Sequence, residues 1–177
     1  MAECVAEPIS RKDIRMMAKK IRIIEKSNGK YFFDIVHFLE VTLPKIDPSF
    51  TFLVKTMREM GECHGLTYPD RNEIQIRDDV YERACEGSGR DRLTMAHELF
   101  HLLYHGKENI SYARSGSIET YRNPEWQADA FGGELLIPYD LVIGMNPHQV
   151  AIECQVSLAA AKCQLKKRCC IKHKLYT

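Results

Sequence analysis

The sequence lacks an excess of charge of either sign. It contains 25 basic and 24 acidic residues, and its formal net charge is +1. A protein that binds nucleic acid mainly through phosphates carries a basic patch or stripe, so this balance argues against direct nucleic-acid binding. The basic run Lys166-Lys167-Arg168 is more typical of a solvated helix face.

The sequence also lacks the features of secreted and membrane proteins. No apolar stretch approaches the roughly 20 residues needed to cross a bilayer. The N-terminus, Met1-Ala2-Glu3-Cys4, has an acidic residue where a secretory signal has a basic flank and an apolar core. The seven cysteines are odd in number and none forms a C-x-x-C pair, which indicates neither a disulfide framework nor a cysteine zinc site. We expect a cytoplasmic protein with no membrane association.

The length of 177 residues suits one domain whose core is large enough to hold a rigid site. Periodicity and turn residues predict N-terminal helices within 10–43, a central core at about 50–145 and a helical tail at 146–177. The predicted fold class is α+β, mostly helical with a small antiparallel β-sheet. No internal repeat or linker divides the chain.

Capping residues and helix breakers set the predicted boundaries. Ser10 is expected to cap the first helix, and Pro44 to end a second helix that runs from Tyr31 to Leu43. Residues 50–56 are predicted to form a strand, and residues 65–76 a strand, a turn and a second strand. Five further helices are predicted, over 78–85, 91–105, 125–136, 147–153 and from Ser157 through Leu165.

The predicted helix at 91–105 carries the segment His97-Glu98-Leu99-Phe100-His101. Residues four apart lie about 40° apart around a helix and one turn along it, so both imidazoles project from one face and can share a zinc ion. Glu98 lies about 100° from His97, beside the metal rather than bound to it, where its carboxylate can take a proton from the attacking water. The spacing therefore predicts a catalytic zinc site.

A third ligand is available in the next predicted helix. Glu125 can supply a carboxylate oxygen, which with two histidine nitrogens and an open position gives the catalytic pattern for zinc. Asp129 lies four residues later on the same helix face and can orient one of the histidines by accepting a hydrogen bond from its other nitrogen. A salt-bridge role for Asp129 is an open alternative.

His105 continues the four-residue ladder of His97 and His101, but we exclude it as a ligand. Along a straight helix His97 and His105 are about 12 Å apart, too far for one ion with bonds near 2.1 Å. No glycine between His101 and His105 bends the chain. We expect His105 to make a structural hydrogen bond near the helix end.

Other candidate side chains lack partners at metal-binding spacing, so we expect them to be packed or surface groups rather than ligands. These are Glu62, Cys63, His64 and His148, together with His37, which is predicted to be a partly buried helix histidine. The residue that stabilises the oxyanion is not readable from the sequence. The candidates are Tyr112, Tyr121 and His148.

Two sequence blocks resemble the ImmA/IrrE metallopeptidases of bacteria and their mobile elements. The first runs from Thr94 to His105, and the second, more specific one runs Glu125-Trp126-Gln127-Ala128-Asp129-Ala130-Phe131-Gly132-Gly133-Glu134-Leu135-Leu136-Ile137-Pro138. With a similar C-terminal helix, the resemblance covers roughly residues 65–168. The sequence departs from the family at Phe100, which is commonly Gly, and at Gly132, which is often Ala.

The resemblance implies a zincin-like domain whose catalytic core is the region at about 50–145. It further implies that His97, His101 and Glu125 bind zinc and that Glu98 is the catalytic base. It also implies that the substrate is a protein, a helix-turn-helix repressor of a phage, a mobile element or a stress response. The oligomeric state is not readable from the sequence.

Two other functions are weighed against the peptidase. One is a zinc-containing regulatory protein that binds a repressor without cutting it; Glu98 argues against this, because a structural zinc site needs no acid between the histidines. The other is a DNA-binding regulator built on the N-terminal helices. The near-neutral charge and the lack of a short turn between matched helices argue against that function.

Overall fold

The structure is a computed structural model that describes residues 3–106, 109–113 and 119–172. Its strands are β1 (Glu3–Ala6), β2 (Thr51–Lys55), β3 (Gly65–Tyr68), β4 (Glu73–Arg77) and β5 (Ile110–Ala113). Its helices are α1 (Arg11–Ile24), α2 (Ile35–His37), α3 (Leu43–Ile46), α4 (Met57–Met60), α5 (Asp78–Cys85), α6 (Gly89–Tyr104), α7 (Pro124–Leu136), α8 (Pro147–Glu153) and α9 (Leu158–Lys172). The predicted α+β, mostly helical class is confirmed.

The larger sheet has the strand order β2-β4-β3. As predicted, β3 and β4 are antiparallel neighbours joined by a tight turn, with Gly65 opposite Ile76 and Tyr68 opposite Glu73. The strand β2 pairs with β4 in the parallel direction, which makes the sheet mixed. Parallel neighbours need a crossover connection, and the segment that contains α4 provides it here.

A second, two-stranded sheet was not predicted. In it, β1 pairs with β5 in antiparallel register, with Glu3 opposite Ala113 and Ala6 opposite Ile110. The pairing continues at Glu7, whose backbone N–H donates to the carbonyl of Asn109. The N-terminal segment is therefore attached to the chain that follows α6.

Pro44 does not end the second helix, contrary to the prediction. A π-helical turn over Phe38–Thr42 joins α2 to α3, and Pro44 lies in the first turn of α3. The wider turn lets Leu43 N–H donate to the carbonyl of Phe38, five residues back. Proline lacks an N–H and breaks the α-helical bonding pattern, so the helical path continues through a local change of helix type.

The helices α6 and α7 pack against each other at the centre of the core. Gly132 permits a close approach, because a Cβ at this position would lie 2.9 Å from Cδ1 of Leu93 and 3.6 Å from Cβ of Ala96. Phe100 is fully buried, and its ring centroid lies 4.9 Å from that of Phe131. The small and large side chains interlock, as close-packed interiors require. Among the described helices, none has the length and apolar character that a bilayer crossing requires.

The helix α1, which begins at the predicted cap Ser10, binds α7 through ionic contacts. Glu134 has a fully buried carboxylate, and its two oxygens accept hydrogen bonds from the Nε atoms of Arg11 and Arg15, each at 2.8 Å. Arg22 is also buried and donates to the carbonyl of Leu135 at 2.6 Å. These contacts hold the helix that carries Glu125.

We expect Glu134→Gln to destabilise the fold by about 3 kcal/mol, because the new amide N–H₂ would face an arginine donor inside the core. Asp140→Asn is the matched control, since the ion pair of Asp140 with Lys19 is half exposed and worth less than about 1 kcal/mol. Denaturant unfolding gives both values. Equal losses would contradict the role assigned to Glu134.

Candidate metal centre

The helix α6 places both histidines of the motif on one face. Ser88 caps its N-terminus, and no break interrupts the helix before Tyr104. The Nε2 atoms of His97 and His101 lie 3.0 Å apart. Each side chain is 18% exposed, so the pair is set into the surface but open to solvent.

The helix α7 brings a carboxylate to the same point. Asn123 caps this helix by accepting from the N–H of Trp126, and Pro124 occupies its first turn. Glu125 follows, and its oxygens lie 3.1 Å from Nε2 of His97 and 3.5 Å from Nε2 of His101. Within the described residues, His97, His101 and Glu125 form a group that could hold a metal ion.

The distances in this group fit a tetrahedral ion. Zinc bonds of about 2.1 Å at tetrahedral angles place neighbouring ligand atoms about 3.4 Å apart. Here the two Nε2 atoms lie 3.0 Å apart, Oε2 of Glu125 lies 3.1 Å from Nε2 of His97, and the other oxygen of Glu125 lies 3.5 Å from Nε2 of His101. The side chain of Glu125 is 70% exposed, which leaves room for a fourth ligand from solvent or substrate.

Asp129 lies one turn after Glu125, and its Oδ1 is 2.9 Å from Nδ1 of His97. Asp129 thus contacts Nδ1 of the imidazole, whereas Glu125 contacts Nε2. A carboxylate there accepts the proton of Nδ1 and leaves Nε2 free to bind a metal. Among the described residues, the structure thus shows Asp129 in contact with a proposed ligand.

Nearby carboxylates change the acid–base behaviour of His97. Burial disfavours the charged imidazolium, but hydrogen bonds to Asp129 and Glu125 outweigh burial, and the pKa of His97 is raised to about 9. Contact with the imidazoles of His101 and His97 in turn stabilises the ionised form of Glu125 and holds its pKa well below the usual range.

Glu98 is buried beside the group and is held by the sheet. Thr67 on β3 donates its hydroxyl to Oε2 of Glu98 at 2.7 Å and also lies 3.0 Å from the backbone carbonyl of Glu98. Gly65 on the same strand leaves the space that Glu98 fills, since a Cβ at Gly65 would lie 2.6 Å from Cγ of Glu98. The glycine and the threonine thus fix the position of the carboxylate.

Sequence reasoning missed Thr67 and Gly65. Both lie about thirty residues before Glu98, and no spacing rule relates a strand residue to a helix residue. The alternation of β3 and β4 indicated a hairpin, but it did not indicate which helix the hairpin contacts. To find them, one would have to know that the hairpin of β3 and β4 packs against the helix that carries Glu98.

His105 contacts His101 on the side away from the metal group. The two Nδ1 atoms lie 2.8 Å apart, and Nε2 of His105 lies 2.8 Å from the amide oxygen of Gln127. Burial lowers the pKa of His105 to about 4, despite the hydrogen bond to Gln127. His105 is outside the metal-binding group, as expected, but its partner Gln127 was not foreseen.

Among the described residues, none of the other candidate histidines, cysteines or carboxylates belongs to the metal group. Cys63, His64 and His148 are exposed. His37 is exposed as well and pairs with Glu25, so the expectation of a partly buried histidine is wrong. Tyr121 is exposed and donates its hydroxyl to Glu119. The side chain of Tyr112 lies outside the described residues. No oxyanion-stabilising residue is assigned from these candidates.

A known protein family matches a large part of the chain. The family model for peptidase M78, described as the IrrE N-terminal-like domain, matches residues 57–166. No curated protein matches the chain. A solved structure of a Mycobacterium tuberculosis transcriptional regulator resembles it with a TM-score of 0.56 and 12% identity, over 85% of this chain and 45% of the regulator.

At this low identity the resemblance to the regulator shows the fold alone, and this chain spans less than half of the regulator's length. The family model, in contrast, covers more than half of the chain and includes the strand that holds Glu98, the motif helix and the helix that carries Glu125. The chain therefore belongs to the peptidase M78 family of IrrE N-terminal-like domains.

Proposed function

We propose that this protein is a zinc-dependent endopeptidase. The observation that carries the proposal is the convergence of His97, His101 and Glu125 on one point, with the buried carboxylate of Glu98 held beside it. Two imidazole nitrogens, one carboxylate oxygen and an open position are the donor set of catalytic zinc. Membership of a metallopeptidase family supports the same metal and reaction.

When bound at this point, zinc would polarise the scissile carbonyl and lower the pKa of a water molecule. Glu98 would accept the proton of the attacking water and deliver it to the leaving amine. The hydroxyl of Thr67 keeps one oxygen of Glu98 in place, so the other oxygen is available for proton transfer. Asp129 holds His97 by its Nδ1 atom.

The proposed substrate is a helix-turn-helix repressor. This assignment rests on the resemblance to the ImmA/IrrE metallopeptidases, whose typical members cleave such repressors. A repressor acts on DNA inside the cell, so this substrate is consistent with the proposed cytoplasmic location of the protein. The alternative is a regulatory protein that binds the repressor without cutting it, and the choice between the two depends on Glu98.

We expect one zinc ion per chain and a large loss of zinc affinity in Glu125→Ala, because the change removes a charged ligand. Glu119→Ala is the control, since it removes a nearby exposed carboxylate that binds Tyr121 instead. Metal analysis gives the stoichiometry, and titration against a chelator gives the affinities. Equal affinities in the two variants would refute the ligand assignment.

Proton binding should compete with zinc at His97. A ligand nitrogen must be unprotonated, and the raised pKa of about 9 means that the proton is favoured at neutral pH. Zinc affinity should therefore rise with pH by up to about tenfold per unit until it levels off near pH 9. Affinity measured from pH 6 to 10, corrected for the chelator, tests this.

Asp129→Asn should move the levelling-off point to lower pH, because the neutral amide no longer favours the charged imidazolium. Asp140→Asn, a change on the surface near the end of α7, should leave the profile as in the wild type. A profile that does not respond to Asp129→Asn would show that this carboxylate does not control the protonation of His97.

Glu98→Gln should retain zinc and the fold but reduce hydrolysis of a repressor by at least about 100-fold, since the amide cannot accept a proton. Cleavage is followed on a gel with a repressor encoded next to this gene, and binding is measured separately. If the wild type binds the repressor without cutting it while zinc is bound, and Glu98→Gln regulates equally well in cells, the non-cleaving alternative replaces the peptidase.

A further inference from the structure

The side-chain amide of Gln127 has only one orientation that satisfies its surroundings. Gln127 is fully buried, and its Nε2 donates to the backbone carbonyls of Glu7 at 2.9 Å and Tyr121 at 2.7 Å. Both partners are acceptors, so the nitrogen must face them. The amide oxygen therefore faces His105.

This orientation determines where His105 carries its proton. The amide oxygen of Gln127 can only accept, so Nε2 of His105, 2.8 Å away, must be the donor. A neutral imidazole with its proton on Nε2 has an unprotonated Nδ1. That Nδ1 lies 2.8 Å from Nδ1 of His101 and can accept a hydrogen bond from it.

The series of hydrogen bonds continues from His105 to His101, which belongs to the metal group. If Nδ1 of His101 donates to His105, a neutral His101 has no proton on Nε2, and this is the atom that lies 3.0 Å from Nε2 of His97. If Nδ1 of His105 instead donated to Nδ1 of His101, a neutral His101 would carry its proton on Nε2, and that nitrogen could not bind a metal. Only the first assignment gives each donor in the series an acceptor. The series runs from His101 to His105, from His105 to Gln127, and from Gln127 to the backbone carbonyls of Glu7 and Tyr121.

We propose that His105 and Gln127 are positioning residues that orient His101 and keep its Nε2 unprotonated for the metal. The proposal rests on the proposed function, because it requires a metal at this group. His105 accepts the proton of His101 as Asp129 accepts that of His97. The two ligands thus have different supports, a carboxylate for His97 and a neutral imidazole for His101.

A purely structural role for His105 would be a hydrogen bond that tightens the end of α6. Such a role would give the same loss for any variant that breaks the contact with Gln127. The positioning role depends instead on an acceptor atom facing Nδ1 of His101. These two roles can be separated by variants that differ only in that atom.

His105→Asn and His105→Leu form the matched pair. Asparagine and leucine have the same branched shape, and both lose the contact with Gln127. The asparagine oxygen can occupy the position of the histidine Nδ1 and accept from His101, whereas leucine places a methyl group there.

We expect His105→Leu to lower zinc affinity by about 10- to 100-fold, as is typical when the hydrogen-bond partner of a ligand histidine is lost, and His105→Asn to stay within about threefold of the wild type. Competition with a chelator measures the affinities, and thermal unfolding shows whether the two variants are equally folded. Equal affinities in the two variants would overturn the proposal.

Nuclear magnetic resonance of ¹⁵N-labelled wild-type protein with zinc gives a second readout that does not depend on a variant folding. The spectrum should show protons on Nδ1 of His101 and Nε2 of His105. A proton on Nδ1 of His105 would overturn the proposal even if zinc binds. A wild-type chain that binds no zinc would contradict the proposed metal site and, with it, this inference.

Discussion

An imidazole that binds a metal through one nitrogen carries its proton on the other, and in proteins that proton almost always needs an acceptor for tight binding. The packing of α6 against α7 meets this requirement, because α7 brings Asp129 to one histidine and Gln127 to the ladder behind the other. The same helix supplies Glu125 as the third donor. The position of α7 therefore controls both the composition of the metal centre and the protonation of its histidines.

Features with a local cause were predicted from the sequence. The spacing of His97 and His101 follows from helix geometry alone, and the predicted cap at Ser10 acts on a neighbouring backbone group. The hairpin of β3 and β4 was predicted for the same reason, since its alternation and turn residues lie within twelve positions.

Features that depend on contacts between distant segments were not predicted. The parallel direction of β2, the pairing of β1 with β5 and the support of Glu98 by Thr67 leave no periodic signal in the sequence. Pro44 was misjudged because the π-helical turn before it keeps the chain helical up to this proline, which then lies in the first turn of α3. The ligands could thus be located from the sequence, but most of the residues that support them could not.

The hydrogen bond between Gln127 and Glu7 joins the part of the chain that the family model matches to an N-terminal segment that it does not match. The family model starts at residue 57, yet a backbone carbonyl at position 7 accepts from the amide that orients the histidine ladder. The arginines of α1 that bind Glu134 also precede the matched stretch. A chain shortened to residues 57–166 would keep every proposed ligand but lose the acceptor at Glu7 and the two arginines that bind Glu134. The contacts that hold the proposed metal centre therefore extend beyond the stretch that the family model matches.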